Sequence, residues 1–100
     1  MPYERMAAEA IAKRKADLPD WKIANDSSSI ARSFKFANFR AAFAFMTECA
    51  MVAEKLDHHP EWSNVYATVN VRLTTHSAGG LTDLDFQLAA AMDKAAARQH

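Results

Sequence analysis

The chain is short of the residues that announce most kinds of chemistry. It has one cysteine, Cys49, so no internal disulfide can form, and a lone cysteine in an apolar helical pattern reads as a small buried hydrophobe in a reducing compartment. It has two glycines, adjacent at Gly79-Gly80, which leaves no glycine-rich phosphate cradle and no dinucleotide fingerprint. It has no excess charge: twelve basic residues balance twelve acidic ones, and so no net field draws nucleic acid or an anionic membrane. No apolar run nears the roughly 20 residues of a membrane span, and the polar first turn is unlike a signal peptide. Histidines at the spacing of a helical metal pair, His-x-x-x-His, are missing too, which argues against a stable metal site.

What remains is ordinary for a globular domain. Half the residues are hydrophobic and 24% are charged, too apolar for disorder, and 100 residues suffice for one core, so residues 1–100 read as a single domain. The expected compartment is cytoplasmic.

The stretch Glu54-Lys55-Leu56-Asp57-His58-His59-Pro60-Glu61-Trp62 organises the rest. An apolar helix stops there; Pro60 forbids its continuation and pushes His59 out of helical geometry. Two imidazoles on such a corner can give or take protons near neutrality. A third, His76, follows a strand-like run, and the fourth, His100, is the last residue.

In chain order, Tyr3 to Lys15 is a short amphipathic helix with Pro2 at its start, and Leu18-Pro19-Asp20 breaks it. Trp21 with Ile23, then Ile30 to Phe36, alternate as strands around the Asn25–Ser29 turn. Asn38 caps a helix from Phe39 to about Asp57. That helix carries two apolar stripes, Phe39, Phe43, Met46, Ala50, Ala53 and Ala42, Phe45, Cys49, Val52, Leu56. One stripe suffices to lie on a sheet, so the second, with Met51, points to burial against another copy of the chain, ahead of the alternative that the subunit's own helices cover it. Trp62 to Tyr66 and Val69 to Thr75 are two more strands, with Asn70, Arg72, Thr74 and His76 sharing one face. Thr82-Asp83-Leu84-Asp85 is a capping box opening a last helix whose apolar face is Leu84, Leu88, Ala91, Met92 and Ala95. The order α-β-β-α-β-β-α favours an α+β fold with the helices packed on one face of an antiparallel sheet.

From spacing alone, the histidines fit proton transfer or a structural role equally well, and Glu54, one turn before His58, is placed to pair with it. Nucleophilic catalysis has little support, since Cys49 falls mid-helix away from the histidines. No substrate follows from these residues.

At these same residues the sequence resembles the pterin-4a-carbinolamine dehydratases, also known as dimerisation cofactors of a homeodomain transcription factor. The pattern is Glu54, three residues, His58-His59-Pro60, five residues, Tyr66, nine residues, His76, eight residues, Asp85. Phe34-Lys35-Phe36, Phe43-Ala44-Phe45-Met46, Ala53-Glu54-Lys55-Leu56, Asn64-Val65-Tyr66 and Thr74-Thr75-His76 look like the family as well, so that the likeness covers about Trp21 to Leu88. The resemblance implies a four-stranded antiparallel sheet with three helices on one face. It implies a 4a-hydroxytetrahydrobiopterin dehydratase, a carbon–oxygen lyase that turns the 4a-carbinolamine into quinonoid dihydropterin and water. That step recycles the tetrahydropterin of an aromatic amino acid hydroxylase. Carried over by position, His58 and His76 are the acid/base pair and His59 binds and orients the pterin. Glu54 tunes His58, Asp85 closes the pocket and Trp21 stacks near the ring. No metal or organic cofactor is implied, and the assembly is a homodimer or homotetramer. The alternative from another class is a protein-binding module whose central helix pairs with a transcription factor. A weaker third is a pterin-binding protein without turnover.

Overall fold

The computed structural model describes residues 4–99. Its elements are α1 (Ala8–Lys15), β1 (Lys22–Ile23), β2 (Ile30–Lys35), α2 (Phe39–Leu56), β3 (Glu61–Val65), β4 (Thr68–Leu73) and α3 (Asp83–Arg98), with a short 3-10 turn, His76–Ala78, between β4 and α3. The four strands form one antiparallel sheet in the order β1-β2-β4-β3. This is the α+β arrangement expected from the element order.

Period-two alternation decides which face of the sheet is covered. Ile30, Phe34, Val69, Val71 and Leu73 are buried, whereas Ala31, Ser33, Lys35, Asn70 and Arg72 between them are exposed. The helices lie on the first set. Phe34 meets Phe45 of α2 at 4.7 Å between ring centres, and Trp21 meets Phe34 edge-on at 5.8 Å. Leu88, Ala89, Met92 and Ala95 of α3 complete the same core. Ala91 is only half-buried, and Phe86 takes its place in the apolar face.

Of the two stripes on α2, the one through Ala42, Phe45 and Cys49 faces the sheet, joined by Ala53. The other is left mostly in solvent, with Phe43 55% exposed and Phe39 alongside, as is neighbouring Met51 at 71%, while Met46 is half-buried against the core. Its N-terminus is capped as expected, Asn38 Oδ1 accepting from the Ala41 amide at 2.9 Å.

Several boundaries move for tertiary reasons. The first helix begins at Ala8, because the Met6 amide donates to Leu81 O at 2.8 Å and holds the preceding chain extended. Its expected start at Pro2 and Tyr3 lies outside the described residues. β4 ends at Leu73, since Thr75 bridges to Gly80 and pinches the chain into a tight loop. His76 therefore starts a 3-10 turn and does not extend a strand face.

Candidate functional site

The corner after α2 is shaped by Asp57. It adopts left-handed geometry (φ 52°, ψ 43°), which Asp tolerates better than most residues, and its amide donates back to Ala53 O and Glu54 O. The His58 amide also returns to Ala53 O, at 3.0 Å. These bonds close the helix and break the one-turn register that would have set His58 over Glu54. His58 turns inward instead and is buried, 8% exposed.

Inside, His58 meets Asp85, at the start of α3 and 27 residues further on, with Nε2 2.6 Å from Oδ1. Asp85 is 0% exposed, a position a carboxylate tolerates only when its oxygens face donors. Its Oδ2 accepts from the Thr82 amide at 2.9 Å and from the Thr75 hydroxyl at 2.8 Å, and Thr75 and Thr82 share a further bond of 2.8 Å between their hydroxyls. The predicted capping box is present, with Asp85 as its reciprocal partner.

His59 turns outward, and its Nε2 lies 2.9 Å from Glu54 Oε1. The expectation that Glu54 tunes His58 is therefore corrected, as Glu54 partners His59 and Asp85 partners His58. His76 is 80% exposed and its Nε2 lies 2.7 Å from Glu61 Oε2. The other oxygen of Glu61 takes Arg72 Nη1, also at 2.7 Å, and the bonds from His76 and then Arg72 hold the Glu61 carboxyl below its ordinary range. Each imidazole thus meets a carboxylate through Nε2.

The three pairs are tied to one corner. His58 reaches Thr75 through Asp85; Thr75 is covalently next to His76; His76 returns through Glu61 to the segment that carries His59. Trp21 lies apart from this ring of contacts. It is wholly enclosed in the core, with its indole N–H donating to Asp93 Oδ1 at 2.8 Å. It has no free face on which a pterin could stack, which corrects that expectation. Glu61 and Thr75 were not singled out as site residues by sequence pattern, and Thr82 was read only as the helix cap. For Glu61 a signal existed, because a hairpin turning at Tyr66-Ala67 sets it directly opposite Arg72. Among the described residues no three His, Cys, Asp or Glu side chains are grouped to hold a metal ion, and no helix is long and apolar enough to cross a membrane.

A four-stranded antiparallel sheet with helices on one face, and three histidine–carboxylate pairs around one corner, define a small α+β domain. The family profile described as pterin 4 alpha carbinolamine dehydratase matches residues 4–95. A protein of Rhizobium rhizogenes is 58% identical over 99 residues, covering 99% of this chain and 98% of the relative. One from Sinorhizobium fredii is 57% identical over 97 residues, covering 97% and 92%. Both bear the name "Putative pterin-4-alpha-carbinolamine dehydratase". The crystal structure of a transcriptional coactivator/pterin dehydratase from Brucella melitensis superposes with a TM-score of 0.89 at 43% identity, covering 93% of this chain and 99% of that one. A pterin dehydratase-like RuBisCO assembly factor of the alpha-carboxysome shares the fold alone, with a TM-score of 0.66 at 22% identity over 77% of this chain and 89% of that one. The chain belongs to the pterin-4a-carbinolamine dehydratase family.

Proposed function

We propose that the chain dehydrates 4a-hydroxytetrahydropterin to quinonoid dihydropterin by histidine acid/base catalysis, within the recycling of a tetrahydropterin used by an aromatic amino acid hydroxylase. One observation carries the reading: three imidazoles, each oriented by its own carboxylate, are gathered at one corner. The reaction needs two proton movements. The C4a–O bond breaks as a proton reaches the leaving oxygen, N5 gives up its hydrogen, and the electron pair left on N5 forms the C4a=N5 double bond. Water is the only other product, so no electrons are exchanged with a redox partner. Positioned imidazoles serve both transfers, each contributing roughly 10²–10⁴-fold. His58 and His76 form the acid/base pair, and His59, exposed beside Glu54, orients the pterin. Asp85 acts through His58 by holding its ring.

The test follows the decay of the carbinolamine, with the uncatalysed rate subtracted. His58→Ala or His76→Ala should lower turnover by roughly 10²-fold or more. His59→Ala should raise KM more than it lowers kcat. Wild-type rates in all three variants would sink the reading.

A second reading is favoured by the exposed stripe of α2. Phe43, Met46, Thr47 and Ala50 with Trp62 of β3 line an apolar depression of about 180 Å³, with Phe39 and Met51 exposed on the same helix. An apolar surface of this kind marks an interaction site. We assign it to a second copy of the chain, giving a homodimer or homotetramer. A transcription-factor partner on the same stripe is the binding-module alternative, and activity of the histidine variants separates the two.

A further inference from the structure

Of the carboxylates that meet the histidines, Glu61 is the one that no sequence pattern singled out. It opens β3 directly after Pro60, and the β3–β4 register sets it opposite Arg72. Its oxygens are divided, one to Arg72 and one to His76, each at 2.7 Å. All three side chains are exposed, at 47%, 44% and 80%, and ion pairs so exposed are screened by water. The arrangement does little for stability, so its effect lies in direction.

We propose that Glu61 is a positioning residue for His76: held from its far side by Arg72, it takes the Nε2 hydrogen of His76 and leaves Nδ1 as the atom that exchanges protons with substrate. The inference rests on the acid/base reading above. An ionised carboxylate has acceptors only and an arginine never gives up its proton, so the hydrogen between Glu61 and His76 belongs to Nε2. The lowered titration range of Glu61 keeps it ionised through neutrality, so it does not become a donor to the ring. When Nδ1 takes a proton, the imidazolium formed already has its counter-charge in place. Glu54 and Asp85 meet their histidines by the same nitrogen, but only Glu61 is itself clamped by a cation.

The experiment compares the full-length wild type with Glu61→Ala and Glu61→Gln, by two readouts. Long-range proton–nitrogen spectra in mildly alkaline solution, where imidazole is neutral, report which His76 nitrogen carries hydrogen. Wild type should show Nε2–H alone. E61Q, whose amide oxygen still accepts, should match it, and E61A should show a mixture of tautomers. In turnover of 4a-hydroxytetrahydropterin, E61A should lose about 10-fold in kcat with KM little changed, a part of what a positioned acid or base supplies. E61Q should recover most of that loss. Unchanged His76 nitrogen shifts in E61A, or an E61Q no better than E61A, would overturn the proposal. A wild-type chain that turns over no pterin but still loses its His76 tautomer in E61A overturns the pterin reading and upholds the Glu61 assignment.

Discussion

Replacing Asp85 should separate the two roles that its carboxylate combines. In Asp85→Ala the buried Thr82 amide loses its acceptor, and an unsatisfied buried donor costs about 1–3 kcal/mol. The bond to His58 also disappears, worth about 1.5–3 kcal/mol for a charged partner. The Thr75 hydroxyl can fall back on Thr82 and adds little. The expected loss is thus about 2.5–6 kcal/mol, a large share of the roughly 5–15 kcal/mol that holds a domain together. Asp85→Asn keeps the shape. Its carbonyl oxygen still accepts from Thr75 and Thr82, but its amide nitrogen now donates towards His58 and demands the opposite tautomer of that ring. Stability should fall by only about 1–2 kcal/mol, while turnover should fall by roughly 10²-fold. Urea unfolding followed by circular dichroism measures the first quantity, read from the midpoint at constant slope. A loss below about 1 kcal/mol in D85A, or full turnover in D85N, would refute the reasoning.

Other perturbations test other parts of the structure. Light scattering at micromolar concentration should show an assembly larger than the 11.1 kDa chain, and Phe43→Asp should reduce it to monomer; a monomeric wild type would remove the case for self-association. Glu61 and Asp83 are both held below their ordinary values of 4.5 and 3.8, Glu61 by His76 and Arg72, Asp83 by Arg14 and Gln87. Lowered carboxylates stabilise the fold above those values and lose the effect as pH falls through the lower folded ones, so stability should drop with acid only below about those pH values, and less steeply in Glu61→Gln. Burial pushes the Cys49 thiol up to about 12, so a thiol-reactive disulfide reagent should label the protein only after unfolding.

Most of the fold was legible because it rests on local periodicity. The stripe through Ala42, Phe45 and Cys49, the alternation of Val69, Val71 and Leu73, and the Thr82–Asp85 capping box each predict their element and its buried face. What escaped was set by contacts between distant segments. Counting one helical turn back from His58 finds Glu54, but a left-handed Asp57 intervenes and the real partner lies beyond two strands at Asp85. His76 continues an alternating pattern, and nothing local foretells the Thr75–Gly80 bridge that turns it off the strand. An aromatic near the start of a sheet reads more readily as core or rim than as platform; the stacking role came from the resemblance alone, and the packing around Trp21 decides for core.

The double use of Asp85 has a consequence for motion. The same carboxylate closes the first turn of α3 through one oxygen and anchors the His58 ring through the other, so the two are coupled. Opening of that turn would take the anchor of the imidazole with it. Amide exchange at Thr82 and Asp85 should therefore act as a clock for the corner, and a ligand that grips His58 should slow exchange at the start of a helix it never touches.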